Sequence, residues 1–274
     1  MTSPPPNLRV ATYNVHACVG TDGRHDPDRV ASVVAELEAD IVALQEFTYP
    51  ASVAIESRMP VTLTMLDRYE CVLGPTRHTV TECFGNALFT RHRVVDVQRL
   101  DLSMERREPR GALAATLEVR GTVVHVLAAH LGLRVHERRF QVRQILKYLE
   151  SVRGTLVVVL GDFNDWLPGR SVVHVLDDHL GRPPRPGSFP VFWPIVALDR
   201  IWVNPIHALR GLFTHTTPAA RLASDHFPVV ADIDISVNQF ACPRGTQGKI
   251  SKAAGSIRMD TCASGDTAST SSST

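Results

Sequence analysis

The sequence predicts an α/β protein in which the β-sheets are mixed rather than wholly parallel. Segments with strand patterns outnumber those with helical patterns, and some strands follow one another directly, as 112–119 and 122–130 do. Directly consecutive strands favour antiparallel pairing, whereas parallel neighbours need a crossover between them. With 274 residues, the chain can form one large domain or at most two small ones.

The first elements are predicted from alternation, capping and periodicity. Residues 8–14 alternate apolar side chains as a strand does, and Asp26 before Pro27 is typical of a helix start, with a capping side chain before a first-turn proline. Apolar residues then continue at helical spacing to Leu37, and 41–47 form a buried strand. The same criteria predict the remaining strands at 69–73, 85–90, 94–98, 112–119, 122–130, 155–161, 199–203 and 228–235, and the remaining helices at 52–67, with an interruption at Pro60, 136–151 and 171–180.

Composition predicts unstructured ends and a cytoplasmic protein. Residues 1–7 contain three prolines and are expected to form a flexible lead. Residues 236–274 are rich in Ser, Thr, Gly and Ala, and are expected to be disordered because they cannot bury enough apolar surface. No apolar run approaches the roughly 20 residues of a transmembrane helix, and the N-terminus lacks the features of a signal peptide. Five cysteines without paired or zinc-type spacing fit a reducing compartment.

The charge balance argues against a broad cationic surface for nucleic acid. The net charge of the chain is +1. The tail from 236 onward holds four basic and two acidic residues, and subtracting its charge of +2 leaves the body near −1. Strong nonspecific binding to DNA is therefore not implied, although local binding stays open.

Six separate apolar strands each have an acidic, amide or histidine side chain at one end. Ordinary turns would explain some of them, because Asp and Asn supply turn geometry, but turns would also bring more Gly, Ser and Pro and fewer Glu and His. A shared catalytic edge explains the set better. Its members are Asn14, Glu46, His130, Asp162 with Asn164, Asp199, and Asp225 with His226.

The motifs around these residues resemble the endonuclease/exonuclease/phosphatase superfamily. The stretches "YN", "LQE", "AHL", "GDFN", "LDRIW" and "SDHFPV" occur in this order. The resemblance covers about residues 7–235, and it implies a DNase I-like fold: a four-layer sandwich of two packed mixed β-sheets flanked by helices, with the active site at one edge. The expected catalytic domain is 8–235. The loop at 14–26, "NVHACVGTDGRHD", is similar to that of a bacterial branch associated with lipid-anchor remodelling.

The resemblance implies a divalent cation, Mg²⁺ or Mn²⁺, as cofactor. Mg²⁺ takes oxygen ligands and keeps several waters, so one or two carboxylates suffice to hold it. Glu46 is the first choice of ligand, supported by Asn14 and Asp225.

The other strand-end residues are assigned to the reaction itself. Asp162 would orient or deprotonate the attacking water, and Asn164 would donate to a phosphate oxygen. His226, paired with Asp199, would act as a cation or strong donor against the phosphate. His130 would be a second donor or the general acid toward the leaving group.

Four further residues are weaker candidates for substrate binding: His16, Asn86, Arg110 and Arg134. Each has an ordinary alternative. His16 could belong to a turn with exposed polar residues, Asn86 could be a cross-strand partner, and Arg110 could belong to a solvated loop. Arg134, with Arg138 and Arg139, could form a basic rim or a solvated helix face.

Two classes of function remain. The first is a metal-dependent phosphodiesterase or phosphatase that acts on nucleic acid, or alternatively on a lipid or small head group. The aromatic residues of "SFPVFWP" (188–194) could stack bases, contact lipid chains or pack a loop. The second class is an inactive binding module on the same fold. No stable protein partner is predicted.

Overall fold

Two mixed β-sheets form the centre of the protein. A computed structural model describes residues 8–52, 68–166 and 171–236. Its strands are β1 (Leu8–Asn14), β2 (Ile41–Pro50), β3 (Glu70–His78), β4 (Glu82–Thr90), β5 (Arg93–Asp101), β6 (Gly111–Val119), β7 (Thr122–His130), β8 (Leu156–Asp162), β9 (Asp199–Asn204), β10 (Leu209–Thr214) and β11 (Val229–Ile233). Its α-helices are α1 (Pro27–Glu36), α2 (Val135–Ser151), α3 (His174–Leu180) and α4 (Pro218–Ala223), with 3-10 segments at His16–Cys18 and Ile206–Ala208.

One sheet has six strands in the order β10-β11-β1-β2-β4-β3, and the other has five in the order β5-β6-β7-β8-β9. Only two neighbouring pairs among these are parallel, β1 with β2 and β7 with β8. In both cases a helix, α1 or α2, lies in the connection between the two strands, as a crossover requires. The mixed character predicted from the sequence is confirmed.

The two sheets pack face to face, and helices cover their outer faces. Val10 and Ile41 of the first sheet share one buried cluster with Leu113 and Val158 of the second. A second cluster joins the other face of the six-stranded sheet to apolar residues of α1 and α4. A third joins the other face of the five-stranded sheet to α2 and α3. These three apolar layers produce the four-layer sandwich that the resemblance implies.

Some predicted elements differ from those observed. β10 and α4 were not predicted, because "LRGLFT" (209–214) is a short strand interrupted by Gly211, and α4 has only six residues. β2 continues to Pro50, beyond the predicted end at 47. The helix predicted at 52–67 lies outside the described residues apart from position 52, as do the predicted lead 1–7 and all but Ser236 of the predicted tail. Within the described ranges, no helix is long and apolar enough to cross a membrane.

Candidate active site

The two parallel strand pairs and two antiparallel strands bring their polar ends to one edge of the sandwich. Asn14, His130 and Asp162 end β1, β7 and β8. β9 and β11 run antiparallel to their neighbours, so their first residues lie at the edge where β8 and β1 end. In β8 and β9, Asp162 and Asp199 are direct register partners. The strand-end residues therefore meet because β1, β7 and β8 end at this edge, whereas the antiparallel strands β9 and β11 begin there.

A cleft of ≈ 710 Å³ opens at this edge. It is lined by nine of the twelve residues that the sequence singled out: Asn14, His16, Glu46, Arg110, His130, Asp162, Asn164, Asp225 and His226. Asp199 lies beneath the cleft and is fully buried. The remaining two, Asn86 and Arg134, do not line it.

Glu46 reaches the cleft through a β-bulge rather than a strand end. The register of β2 against β4 shifts between Leu44 and Phe47, so that Gln45 and Glu46 face one residue of β4. Glu46 has a φ of 56°, in the left-handed region that a non-glycine residue adopts only where its surroundings hold it there. The bulge turns the carboxylate of Glu46 toward the cleft, whereas the side chain of Gln45 is buried and accepts a hydrogen bond from Thr12. The expected position of Glu46 at a strand end was wrong.

The amide of Asn14 joins two carboxylates. Its Nδ2 donates to Oε1 of Glu46 and to Oδ2 of Asp162, each at 3.1 Å. Its Oδ1 accepts the backbone N–H of His16 at 3.0 Å. The reversed amide would place oxygen against both carboxylates, so these partners determine its orientation. Asn14 holds the two acidic groups together, and its own oxygen is already engaged.

Arg110 determines the tautomer of His130. A guanidinium nitrogen of Arg110 lies 3.0 Å from Nδ1 of His130, and an arginine can only donate. Nδ1 therefore accepts, and the proton of the neutral ring is on Nε2, which lies 3.6 Å from Oδ2 of Asp162 and 3.9 Å from Oε1 of Glu46. Burial, joined by the nearby Arg110 and His226 charges and opposed by Asp162, lowers the pKa of His130 to about 3. His130 is thus neutral at physiological pH.

His226 has the opposite charge state, although it lines the same cleft. Its Nδ1 donates to Oδ2 of Asp199 at 2.7 Å. Burial disfavours the imidazolium, but the charge and hydrogen bond of Asp199, with smaller effects from Asp162 and Asp225, outweigh burial and raise the pKa of His226 to about 10. His226 is therefore a cation at neutral pH, with Nε2 left as its second donor.

Asp162 and Asn164 are oriented by local hydrogen bonds. The backbone N–H of Asn164 donates to Oδ1 of Asp162 at 2.9 Å, and its Nδ2 donates to the carbonyl of Leu131 at 2.9 Å. Asn164 has a φ of 49°, which bends the chain directly after the strand. Before it, Gly161 has a φ of 146°, and an added Cβ would lie 1.8 Å from the carbonyl oxygen of Ala129. Only glycine fits there, which explains the first letter of "GDFN".

The three arginine and amide candidates for substrate binding have different surroundings in the structure. Arg110 contacts a site residue directly and also pairs with Glu108 at 2.9 Å. Asn86 is buried and donates to the carbonyl of Gly111, next to Arg110, so it contacts a neighbouring segment rather than the cleft. Arg134 is exposed and precedes α2, where its backbone N–H donates to Glu137.

Arg138 does not belong to a basic rim, because it is fully buried. Its guanidinium pairs with the equally buried Asp165 at 3.3 Å and donates to the carbonyls of Gly132 and Leu133. This ion pair ties the segment after β7 to the segment after β8. Helical spacing alone does not reveal it, since a solvated and a buried arginine have the same local sequence signature.

Several residues of the site carried no prediction. Ser188 is fully buried, donates its hydroxyl to Oδ2 of Asp199 at 2.6 Å and accepts the backbone N–H of Asp199. Ser224 donates to the carbonyl of Asn14 and accepts the N–H of His226. Both lie in loops without a periodic pattern. The only local signal is that Ser224 stands directly before Asp225 and His226.

The donor set fits a hard divalent cation. Asp162, Asp199 and His226 have ligand atoms within 4.8 Å of one another, but a divalent ion placed among them would lie against the His226 imidazolium. Glu46 and Asp225 line the cleft with side chains 26% and 39% exposed. Such accessible carboxylates are the ligands that Mg²⁺ uses while it keeps most of its waters.

Comparisons with known proteins place the chain among others of this architecture. A sequence profile of the Endonuclease/Exonuclease/phosphatase family matches residues 11–226. The uncharacterized protein YbhP of Escherichia coli K12 is 33% identical over 168 residues, in a match that covers 55% of this chain and 63% of that protein. The chain thus spans less than two thirds of this relative's length.

Two solved structures share the fold at lower identity. An endonuclease/exonuclease/phosphatase of Beutenbergia cavernae has a TM-score of 0.66 at 24% identity, covering 83% of this chain and 72% of its own. The mannosyl-6-phosphatase Bt3783 of Bacteroides thetaiotaomicron has a TM-score of 0.64 at 19% identity, covering 82% and 99%. At these identities the likeness concerns the fold.

Proposed function

Because the chain belongs to the endonuclease/exonuclease/phosphatase family, we propose that it is a divalent-metal-dependent hydrolase of phosphodiesters. The single observation that supports this most strongly is the pairing of opposite charge states in one cleft. Two carboxylates joined by Asn14 lie beside a neutral histidine, His130, and a cationic one, His226.

Asp162 is the group that orients the attacking water and receives its proton. Its carboxylate is held by Asn14 on one oxygen and by the backbone of Asn164 on the other, so its direction is set before substrate arrives. A preoriented acceptor within hydrogen-bond reach of the water is what in-line attack on phosphorus requires.

His226 and His130 divide the stabilisation of the phosphate between them. The His226 imidazolium places positive charge where the phosphate oxygens gain negative charge in the transition state. His130 is neutral with its proton on Nε2, so it donates a hydrogen bond rather than supplying the proton of an imidazolium. Of the two roles that the sequence allows for His130, the donor is therefore favoured.

Glu46 and Asp225 would hold the divalent cation, with Asn14 positioning Glu46. When bound, such a cation would polarise the phosphoryl group and offset its negative charge. Asn14 is better suited to positioning than to ligation, because its oxygen accepts the N–H of His16. The all-oxygen donor set suits Mg²⁺ or Mn²⁺.

The test is hydrolysis of bis-p-nitrophenyl phosphate by the purified full chain in Mg²⁺. Asp162→Ala should lower kcat/KM by about 10²–10⁴-fold. A matched control is Asp96→Ala, which removes an exposed carboxylate on β5. Full activity in EDTA, or an unaffected Asp162→Ala variant, would contradict the mechanism. Failure to hydrolyse either this diester or p-nitrophenyl phosphate in Mg²⁺ or Mn²⁺ would support the inactive binding module instead.

A further inference from the structure

Exposed apolar side chains concentrate around the cleft. Among the described residues, seven large apolar side chains are more than half exposed. Six of them line the cleft or lie near a cleft-lining residue in the chain, and the exception is Val95 on β5. The other six form what we call the apolar rim: Val80, Leu133, Trp166, Phe192, Trp193 and Ile195. Single exposed apolar residues are ordinary, but a concentration of them marks an interaction surface.

The rim residues project from four separate segments that border the cleft. Leu133 and Trp166 line the cleft themselves. Val80, which is 97% exposed, lies in the turn between β3 and β4, and both strands line the cleft below it through Arg77 and Phe84. The remaining three follow Phe189, a cleft residue whose ring lies 4.8 Å from that of His226.

The segment from Phe189 to Val196 is held by backbone hydrogen bonds, although three of its side chains are about 70% exposed. Phe189 and Val196 pair as a β-bridge, which closes the segment into a hairpin-like loop. The N–H of Val191 donates to the carbonyl of Asp225 at 3.0 Å, and the guanidinium of Arg221 donates to the carbonyl of Val191. The exposed side chains are therefore presented by a loop fixed to the catalytic segment.

The charges of the cleft do not favour a polyanion. Among the described residues that line it, the two arginines, Arg77 and Arg110, both pair with Glu108, at 3.7 and 2.9 Å. Three further carboxylates, those of Glu46, Asp162 and Asp225, line the same cleft and outweigh the single charge of the His226 imidazolium. A nucleic acid strand gains its affinity from basic side chains that contact successive phosphates. This lining instead suits one phosphoester on an otherwise uncharged or zwitterionic molecule.

Building on the proposed phosphodiesterase activity, we propose that the apolar rim docks on a lipid membrane surface and that the cleft takes the phosphodiester of a lipid headgroup. A protein partner seated on the rim would cover the cleft, whereas a lipid surface offers an apolar layer and a phosphoester next to each other. Tryptophan is favoured at this boundary because its ring is apolar and its N–H is polar. Trp193 and Trp166 would then lie at headgroup level, with Phe192 and Ile195 entering the acyl boundary.

The experiment is sedimentation of the full chain with phosphatidylcholine vesicles, with tryptophan fluorescence recorded in parallel. The triple variant Phe192→Ser, Trp193→Ser, Ile195→Ser should lower the partition coefficient at least tenfold. The matched control, Val95→Ser, should bind as the unmodified chain does. Binding should change less than twofold between 50 and 500 mM salt, about the range over which electrostatic contacts are screened, because the contact is apolar.

Three results would overturn the proposal: no vesicle binding by the unmodified chain, equal binding by the triple variant, or release of the chain from vesicles by a single-stranded oligonucleotide. A dimer in solution that the triple variant dissociates would assign the rim to a second copy instead. Vesicle binding is measured without turnover, so the proposed phosphodiesterase activity and the proposed docking of the rim can each be contradicted alone. Vesicle binding without diester hydrolysis would refute the activity alone, and hydrolysis of bis-p-nitrophenyl phosphate without vesicle binding would refute the rim alone.

Discussion

Nδ1 of His226 lies 2.7 Å from Oδ2 of Asp199, and both side chains are buried at the edge of the two sheets. The same carboxylate oxygen also accepts a hydrogen bond from the hydroxyl of Ser188 at 2.6 Å. A buried imidazolium is stable only beside a fixed negative charge, so this pair sets the charge state of His226, which lines the cleft.

The first prediction concerns the alkaline limit of activity. The pKa of His226 is raised from its ordinary value of 6.5 to about 10, so the cation is present below that pH and is lost as pH rises through it. Asp199→Asn removes the charge that raises the pKa, so turnover should fall and the alkaline loss should move to lower pH. The pH profile of kcat/KM measures both effects.

His226→Ala provides the matching test of the pair. It should lower kcat by about 10²–10³-fold, as removal of one donor to the transition state does. The double variant should be hardly worse than His226→Ala alone, because groups that act as a unit are non-additive. Losses that multiply would show two independent roles and would leave Asp199 with a structural one.

The second prediction concerns the metal requirement. Glu46→Gln keeps the shape of the side chain but removes the charge of the proposed ligand, so activity should fall and recover in part at high Mg²⁺. The Mg²⁺ concentration for half-maximal activity should rise at least tenfold. Glu150→Gln, an exposed substitution in the last turn of α2, is the control and should leave this concentration unchanged. An unaltered metal requirement in Glu46→Gln would assign the ion to other ligands.

The third prediction concerns stability. Arg138→Met leaves the carboxylate of Asp165 buried without its cation, which typically costs about 3–5 kcal/mol of the free energy of unfolding. The neighbouring Arg139→Met changes an exposed residue of the same helix and should stay within about 0.5 kcal/mol. Urea denaturation of both variants makes the comparison. Equal stabilities would mean that the ion pair does not hold the two segments together.

The fourth prediction separates backbone conformation from steric clash at two glycines. Gly154 has a φ of 81° and open space where the Cβ of an alanine would lie, so Gly154→Ala should cost only about 1–2 kcal/mol. Gly161→Ala adds a clash with the Ala129 carbonyl to an unfavourable φ, so it should cost about 1–3 kcal/mol more and displace Asp162. Thermal unfolding measures the difference in stability between the two variants, and diester hydrolysis measures the effect of displacing Asp162. A Gly161→Ala variant as stable and active as Gly154→Ala would refute the close approach.

The fifth prediction concerns the C-terminal segment. Truncation after Ile235 should leave diester hydrolysis within about twofold, because 236–274 has the composition of a chain that builds neither a core nor a site. Ile235 itself must be kept, since it belongs to the apolar cluster between the sheets. Loss of activity with an unchanged unfolding transition would show that the segment takes part in function.

The features of the fold and site that could be predicted are those that depend on residues close together in the sequence. Alternation, capping and strand-end polarity indicated the mixed sheets, α1 and seven of the eighteen residues that line the cleft, because these features depend on side chains a few positions apart. The bulge at Glu46 was missed because it depends on how β2 pairs with β4, and β10 and α4 were missed because they are short. The sequence offered Arg138 only for a basic rim or a solvated helix face, because its buried partner Asp165 lies 27 residues away.

The sequence by itself determined which chemical groups stand at the edge of the sheets and in what order, and hence the family. Only the tertiary structure decided the state of those groups. His130 and His226 are the same residue type, yet their pKa values are about 3 and about 10. Burial disfavours the charge of both rings, and the difference comes from neighbours distant in sequence, since Arg110 lies 20 residues from His130 and Asp199 lies 27 from His226. A protonation state follows from desolvation and from charges a few ångströms away, and neither exists until the chain has folded.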